Sequence, residues 1–327
     1  MANCHDLFRS FMSRIDFDSS KRDSLKGARE GLRKRIKTHF KDTIKGKVPG
    51  FCGQGSYMMA TIINPLDGEY DIDDGVYLMN IDPQKSKWPD PQTVHGWILD
   101  AVKGHTKRDP INKRTCVRVV YSGEWHVDLP IYGIFQDKAY LAETGDEGWH
   151  ISEPTLFTKW FKNKVKSDGE QFRDIVKYFK GWLDFRSQKE GKMICGFLAT
   201  ILVSKHYLKN DRDDVSFSGT MKNIYEALST DFSIVNPMNG GEILSNEVEE
   251  SEGKRFMKSL GTLAENASKA LDEVDKKKAC KIWKSEFGDR FFDCDTLEDE
   301  KGALRTCAPA ILKDDARSAK NNVKRFL

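Results

Sequence analysis

Two short segments in the first half of the chain alternate between apolar and polar residues. The run Tyr70-Asp71-Ile72-Asp73 does so, and a strand places alternate side chains on one face, so Asp71 and Asp73 are predicted to point the same way. Residues 116–131 alternate twice, on either side of a turn at Ser122-Gly123, and predict a β-hairpin. Asp128 then lies on the polar side of the second strand. The apolar positions of the hairpin are Val117, Val119 and Tyr121 in the first strand, then Trp125, Val127, Leu129 and Ile131 in the second.

The N-terminal segment, residues 1–48, has a helical period. Its apolar stripe is formed by Leu25, Ala28, Leu32, Ile36 and Phe40. Its other face is basic, with Lys26, Arg29, Arg33, Lys34, Arg35, Lys37 and Lys41. We interpret this face as the solvated side of a helix that packs across the back of both lobes, in preference to a phosphate- or nucleic-acid-binding surface. The helix is predicted to end at Val48-Pro49-Gly50.

Residues 151–327 are predicted to be mainly helical. Ser152-Glu153-Pro154 is a helix-start signal, and residues 172–185 form an amphipathic core helix. More helical stretches are predicted over 193–207 and 251–284, with a loop over 236–246. Three parts follow: an N-terminal bridging helix over 1–48, a sheet-containing core over 49–150 with one helix near 91–103, and a helical lobe over 151–327. The predicted fold class is α/β (α+β).

The spacing of the polar residues in the core predicts a metal and a phosphate site. A small turn, Gly55-Ser56, comes fifteen residues before Asp71 and can offer backbone N–H groups to phosphates. Two neighbouring carboxylates are costly unless a cation lies between them, and carboxylate oxygens without thiol or imidazole favour Mg²⁺ or Mn²⁺. With Asp128 as a third carboxylate, the cluster can hold two ions about 4 Å apart.

The residues that form these motifs resemble a known family. They are Gln54-Gly55-Ser56, Thr61, Asp71-Ile72-Asp73-Asp74-Gly75-Val76-Tyr77-Leu78 and His126-Val127-Asp128-Leu129-Pro130. The order of these motifs resembles that of the polymerase-β-like nucleotidyltransferases. Their residue identities resemble those of the CD-NTases, the bacterial relatives of animal cyclic GMP-AMP synthase. The resemblance is dense over about 50–135 and looser over 170–245. The first 20 and last 60 residues carry no specific match.

The resemblance implies a polymerase-β-like lobe with a mixed sheet, facing a helical lobe across a nucleotide-binding cleft. It implies that Asp71, Asp73 and Asp128 are the catalytic metal ligands. Nucleotide and phosphate contacts are expected from Gln54, Gly55, Ser56, Arg118 and Lys180. Asp74 is interpreted as a turn or bulge residue and not as a ligand. His126 is interpreted as a packed strand histidine, because metal-assisted transfer does not require it as a base.

Composition narrows the class of protein. The chain has 327 residues, 39% hydrophobic and 31% charged, which predicts a soluble globular protein. The longest apolar run, GFLATILV, is far below the roughly 20 residues of a membrane span, and the N-terminus lacks the apolar core of a signal peptide. Seven cysteines without a CxxC pair predict reduced thiols and a cytoplasmic protein, and the resemblance implies that the cytoplasm is bacterial.

Charge and resemblance together lead to a function. With 53 basic and 50 acidic residues the net charge is +3, so extensive nucleic-acid binding is not expected, and no Cys/His zinc spacing supports DNA sensing. The resemblance implies synthesis of a cyclic di- or trinucleotide from ATP or other NTPs in antiphage (CBASS) defence, with a separate effector and room for a regulatory partner. Two alternatives stay open: a template-independent RNA-tailing nucleotidyltransferase, and a non-catalytic antitoxin-like module of the same fold.

Overall fold

A mixed sheet of eight strands forms one half of the molecule. The structure, a computed structural model, describes residues 1–44, 46, 49–79, 81–122 and 125–297. The strands are β1 (Pro49–Gln54), β2 (Asp71–Leu78), β3 (Ile111–Asn112), β4 (Val117–Val120), β5 (His126–Leu129), β6 (Ile131–Phe135), β7 (Lys138–Glu143) and β8 (Gly148–Ile151). Their order is β3-β4-β5-β2-β6-β7-β8, and β1 pairs with β2.

The pairing around β2 brings the two sequence motifs together. Strand β2 is antiparallel to β1 and parallel to both β5 and β6, with Asp73 opposite Asp128. Pro130 separates β5 from β6, and its carbonyl accepts a 2.8 Å hydrogen bond from the Val76 N–H. Strands β4 and β5 are antiparallel neighbours, so the predicted hairpin is confirmed. Of its predicted turn, Gly123 lies outside the described residues.

The described helices surround the sheet and form the second half. They are α1 (His5–Ile15), α2 (Ser19–Asp42), α3 (Gly55–Met59), α4 (Pro91–Val102), α5 (Pro154–Asp168), α6 (Glu170–Glu190), α7 (Gly196–His206), α8 (Asp213–Thr230), α9 (Glu250–Asp272) and α10 (Lys276–Phe287). Asp18 caps α2 through the Ser20 N–H, and Asp275 caps α10, because carboxylates accept the unpaired N–H groups of a first turn. These two caps divide each of two segments that the sequence predicts as continuously helical.

The described residues form two large hydrophobic cores and one small cluster of Tyr77, Tyr132, Ala139 and Leu141. Helix α2 packs its predicted stripe, including Leu25, Leu32 and Phe40, on the sheet together with α4. Helix α1 belongs instead to the core of the helical half, where Phe8 and Phe11 contact a cluster of aromatic rings from α6, α8 and α10. The two consecutive N-terminal helices therefore contribute to different cores. Residues 298–327, the end of the predicted helical lobe, lie outside the described part of the chain.

The prediction of reduced thiols is wrong for one pair of cysteines. Cys280 of α10 and Cys294 form a disulfide with a Cα–Cα distance of 5.7 Å. They are 14 residues apart, and the short 3₁₀ turn Gly288–Arg290 folds the chain back between them, a reversal that cysteine spacing does not reveal. Among the described residues, Cys4, Cys52, Cys116 and Cys195 are free. In that same part of the chain, none of the helices is long and apolar enough to cross a membrane.

Candidate active site

A cleft of about 1030 Å³ lies between the sheet and the helical half. On the sheet side it is lined by Gly55, Ser56, Asp71 and Asp73. On the helical side Lys180 of α6 and the first turn of α7, including Phe197, form the opposite wall. The sequence motifs around Asp71 and the predicted helix over 172–185 therefore meet in one cavity of a size suited to nucleotides.

Gly55 brings the turn that is predicted to bind phosphate against the carboxylates. It has φ +67°, a left-handed conformation that favours glycine, and it joins β1 directly to α3. A Cβ at this position would lie 2.1 Å from Asp73 Oδ2. Glycine is thus required both by the backbone conformation and by the close approach of Asp73. Ser56 follows on the same turn and lines the cleft.

Asp71 and Asp73 share one face of β2 and both line the cleft, as the alternation predicts. Burial, followed by the charges of Asp71 and Asp128, raises the pKa of Asp73 to about 7. The Asp71 side chain is about half exposed, at 49%. A carboxylate whose charge is disfavoured by two others is suited to bind a cation, because the cation removes the repulsion.

Asp128 lies beside this pair but is already engaged. Both of its carboxylate oxygens accept hydrogen bonds from Arg118, at 2.7 Å from Nε and from a terminal nitrogen. The same guanidinium is 3.7 Å from Asp71 Oδ2. Arg118 thereby supplies positive charge among the carboxylates. Asp128 is not free to bind a metal in this arrangement.

The donor set still fits a hard divalent cation. Within the described residues, no three His, Cys, Asp or Glu side chains are already grouped to hold a metal. Asp71 and Asp73 nevertheless face one cavity, their donors are carboxylate oxygens, and Mg²⁺ and Mn²⁺ prefer such donors. Asp128 would complete the set after Arg118 releases it. The role of these residues as ligands stays a prediction.

His126 lies next to the carboxylates without being positioned as a base. It stands opposite Asp71 in the β2–β5 register, with Nε2 3.9 Å from Asp71 Oδ2. Burial, and then the nearby Arg118, lower its pKa. Its side chain is largely buried in the sheet. These facts fit the interpretation of His126 as a packed strand histidine.

Lys180 is the cationic group on the opposite wall. Its Nζ donates to Thr61 Oγ1 at 3.1 Å and to the Thr61 carbonyl at 3.3 Å. Burial lowers the pKa of Lys180 to about 8. Lys177, almost one turn earlier, is buried and donates to Asp16 at 2.9 Å instead. Of these two lysines of α6, Lys180 lines the cleft.

Gln54 has a different environment from the one expected of a phosphate ligand. Its Nε2 donates to the Tyr132 hydroxyl at 3.0 Å, and its Oε1 accepts from the Tyr77 hydroxyl at 3.4 Å. The side chain is buried at the base of the cleft. These bonds hold the end of β1, just before Gly55. Direct contact of Gln54 with a nucleotide stays a prediction.

The interpretation of Asp74 as a turn or bulge residue is wrong. Asp74 lies inside β2 and is fully buried, and its carboxylate accepts two hydrogen bonds from the Arg33 guanidinium of α2. Strand parity places it on the face opposite Asp71 and Asp73. The basic face of α2 is therefore only partly solvated, since Arg33 is the partner of a buried carboxylate.

The sequence did not indicate the residues at the mouth of the cleft. They come from the turn between β6 and β7, from the chain that enters α5, and from the loop before α9, and they include Gln136, Lys138, His150, Glu153, Leu156, Phe157, Met238, Asn239 and Glu242. The sequence predicts the last loop, over 236–246, without indicating where it lies in the fold. Loop residues have no period that points to a shared site.

Comparison with known proteins relates the sheet half of the molecule to a family of nucleotidyltransferase domains. Residues 49–132 match the family model described as the nucleotidyltransferase domain of DncV-like cyclic GMP-AMP synthases. This segment is therefore similar to a DncV-like nucleotidyltransferase domain. This match contains the turn at Gly55, the carboxylates of β2 and Asp128. The resemblance read from those motifs is therefore confirmed.

Relatives extend the similarity beyond that domain. A cyclic GMP-AMP synthase of Escherichia albertii is 32% identical over 226 residues, which are 66% of this chain and 49% of that protein. A cyclic AMP-AMP-AMP synthase of an Acinetobacter species is 28% identical over 212 residues, 62% of this chain and 61% of that protein. The chain thus spans about half to three fifths of the length of these curated relatives.

Solved structures show the fold. The 3′-deoxy ATP-bound form of Vibrio cholerae DncV has a TM-score of 0.76 at 21% identity, covering 90% of this chain and 97% of that one. DncV in complex with the linear intermediate pppA(3′,5′)pG has a TM-score of 0.75 at 19% identity, with the same coverage. The predicted polymerase-β-like lobe with a mixed sheet and a helical second lobe is confirmed.

Proposed function

We propose that this protein is a nucleotidyltransferase that joins NTPs into a cyclic oligonucleotide of two or three nucleotides. One observation carries the proposal: Asp71 and Asp73 share a face of β2 beside Asp128, across one cleft from Lys180. The similarity to proteins named cyclic GMP-AMP and cyclic AMP-AMP-AMP synthases supports the cyclic product. ATP is the first substrate we would test.

Different residues in and beside the cleft would have different roles in nucleotidyl transfer. Asp71, Asp73 and Asp128 would hold two Mg²⁺ or Mn²⁺ ions, which when bound polarise the α-phosphate and stabilise the charge that develops on the pyrophosphate. The Gly55 and Ser56 N–H groups and the Ser56 hydroxyl would hold the triphosphate, and Lys180 would contact it from the opposite wall. The ribose oxygen of one nucleotide would form a bond to the α-phosphorus of the next while the bond to the leaving pyrophosphate breaks, and Asp128 would promote loss of the hydroxyl proton.

Arg118 would exchange partners during this cycle. Its guanidinium pairs with Asp128 and lies near Asp71, at the place where positive charge is needed before substrate enters. A triphosphate offers the same bidentate oxygen geometry as a carboxylate. We infer that Arg118 leaves Asp128 for a phosphate when the substrate binds. This exchange frees Asp128 to bind a metal ion. The positive charge of Arg118 then offsets the negative charge of the phosphate.

The wider biological role is part of the proposal. The product would act as a second messenger in bacterial antiphage (CBASS) defence, through a separate effector protein and under a regulatory partner. We place the enzyme in the cytoplasm. The Cys280–Cys294 disulfide is unusual for that compartment, but both cysteines are buried, so attack by an external thiolate is slow.

Two rival functions make different predictions. A tailing enzyme shares the chemistry but transfers nucleotides to an RNA end, and the near-balanced charge of +3 counts against it. A non-catalytic antitoxin-like module would not need Asp71, Asp73 and Asp128 together. The retention of all three beside Gly55 favours an enzyme.

Incubation with four labelled NTPs and Mg²⁺ tests the proposal. The expected product is a single small species that survives phosphatase, because a ring has no terminal phosphate. The matched control is the Asp71→Ala/Asp73→Ala variant, which should form at least ~100-fold less product, the scale of losing a major electrostatic group in an active site. A linear product, from which phosphatase removes the terminal phosphates to leave an oligonucleotide with two free hydroxyl ends, would exclude the cyclase and leave the nucleotidyltransferase standing.

A further inference from the structure

Arg290 connects the far side of the helical half to the elements that form the cleft. It lies in the 3₁₀ turn Gly288–Arg290, inside the loop that the Cys280–Cys294 disulfide closes. Its guanidinium donates to the Asn64 carbonyl at 2.8 Å and to the Gly181 carbonyl at 3.2 Å. It also pairs with Asp184 at 2.6 Å. One side chain thus binds the segment after α3 and the middle of α6.

The partners of Arg290 flank the contact between Lys180 and Thr61. Gly181 is the next residue after Lys180, and Asn64 follows Thr61 by three positions. The Asp184 carboxylate also accepts the Leu66 N–H at 3.0 Å. The segment that contains Thr61 is therefore tied to α6 both by Arg290 and by its partner Asp184. This arrangement fixes the distance between Thr61 and the lysine that donates to it.

The burial of Arg290 indicates that surrounding contacts hold its side chain in position. The side chains of Arg290 and Asp184 are each only 15% exposed, and Arg290 Nε is buried without a hydrogen-bond partner among the described residues. Leaving a buried donor unpaired costs free energy, so other contacts must hold the guanidinium in place. Phe291 packs its ring against both Phe287 and Phe11, and its carbonyl accepts a hydrogen bond from Arg14. The disulfide closes the same loop.

We propose that Arg290 is a positioning residue that sets the place of Lys180 in the cleft, and that the Cys280–Cys294 disulfide holds Arg290 for this task. The proposal rests on the proposed function in one respect, the contact between Lys180 and the triphosphate. Lysine cannot replace Arg290, because the planar guanidinium binds two carbonyls and a carboxylate at once. The effect of losing Arg290 is weaker triphosphate binding.

Kinetics of single and double variants test the path from Arg290 to Lys180. Arg290→Ala is expected to raise KM for the NTP about tenfold, with kcat changed less than threefold, at temperatures well below the Tm of the variant. Arg290→Lys keeps the charge and should show the same rise. Arg255→Ala is the matched control, since Arg255 also donates to a backbone carbonyl of the helical half, that of Lys192, and should leave KM unchanged.

The Lys180→Ala background separates positioning from general stability. If Arg290 acts through Lys180, the Arg290→Ala/Lys180→Ala double variant binds NTP no more weakly than Lys180→Ala alone. Additive losses in the double variant would overturn the proposal. So would a normal KM in Arg290→Ala.

Amide hydrogen exchange supplies a readout that does not need activity. The Leu66 N–H, bonded to Asp184, and the Thr61 N–H, bonded to the Ser56 carbonyl at 2.9 Å, should exchange at least tenfold faster in Arg290→Ala and in Cys280→Ser/Cys294→Ser than in wild type or Arg255→Ala. Unchanged exchange in both variants would refute the claim that Arg290 and the disulfide hold the Thr61 segment against α6. If wild type transfers no nucleotide, the proposed function fails, and this exchange result still decides the structural claim.

Discussion

Asp73 binds its proton more tightly in the folded protein than an ordinary aspartate does. Burial and the charges of Asp71 and Asp128 raise its pKa to about 7, from a usual value of 3.8. Between these two pH values the folded state holds a proton that the unfolded state has lost. The free energy of unfolding therefore falls as pH rises through this range, and above pH 7 the ionised Asp73 destabilises the fold.

Replacement of Asp73 by asparagine should separate stability from activity. Asp73→Asn removes the buried charge and its repulsion at pH 8 and is expected to raise Tm by several degrees in calorimetry. Product formation should fall at least ~100-fold. Mg²⁺ should raise the Tm of wild type but not of the variant, because a ligand stabilises only the state that binds it. Asp211→Asn, at an exposed position, is the control; a lower Tm for Asp73→Asn would contradict this account.

Lys180 should make nucleotide binding sensitive to alkaline pH. Burial lowers its pKa to about 8, so the free enzyme loses this positive charge as pH rises through that value. We expect KM for the NTP to increase about tenfold between pH 7 and pH 9.5. Arginine stays charged over this range, so Lys180→Arg should show no such increase, whatever its KM at pH 7. The same rise in both proteins would assign the titration to another group.

At the scale of elements, local periodicity predicted the features that are set within one strand, one helix or one hairpin. The alternation around Asp71 placed two carboxylates on one face, and the hairpin of β4 and β5 brought Asp128 beside Asp73. The partners of Asp74 and Cys280 were not predictable in this way. Arg33 is 41 residues from Asp74, and Cys294 meets Cys280 only after the chain reverses, so neither contact leaves a local period.

The ion pair between α2 and β2 should be essential for stability. Arg33→Ala leaves the fully buried Asp74 carboxylate without its partner, and breaking such a pair costs about 3–5 kcal/mol. Urea unfolding should show this loss, while Lys34→Ala, at an exposed neighbour on the same helix, should show almost none. In an Asp74→Asn background the further cost of Arg33→Ala should fall below about 1 kcal/mol, because no charge is left unpaired. An undiminished cost would mean that Arg33 acts through packing.

At the scale of the molecule, the cleft depends on contacts between two cores that have different origins in the sequence. Residues 49–132 carried the family resemblance, so the sheet side of the site could be predicted. The opposite wall and the mouth come from α6, α7 and three loops, where Lys180 was the single candidate. Phe197 and Glu242 were not predicted, because their meeting depends on how the helical half packs against the sheet.

The overall charge separates a small-molecule cyclase from an enzyme that acts on nucleic acid. A protein that follows a long RNA or duplex DNA forms many Lys/Arg–phosphate contacts, whereas this chain has 53 basic and 50 acidic residues. Among the basic residues of α2, Arg33 is occupied by Asp74, and Arg35 donates to the carbonyls of Ala101 and Lys103. The positive charge available for nucleic acid on this helix is thus smaller than the sequence suggests.

We therefore expect product formation without a primer. With NTPs and Mg²⁺ alone, the yield of the phosphatase-resistant product should change less than twofold when an RNA oligonucleotide or a duplex DNA is added, at 50 mM and at 200 mM salt. Each phosphate contact would steepen the salt dependence, so a flat response at both concentrations indicates that nucleic acid does not bind productively. A ladder of lengths that appears only with the RNA would identify a tailing enzyme, since extension of a primer adds nucleotides one at a time to the same end.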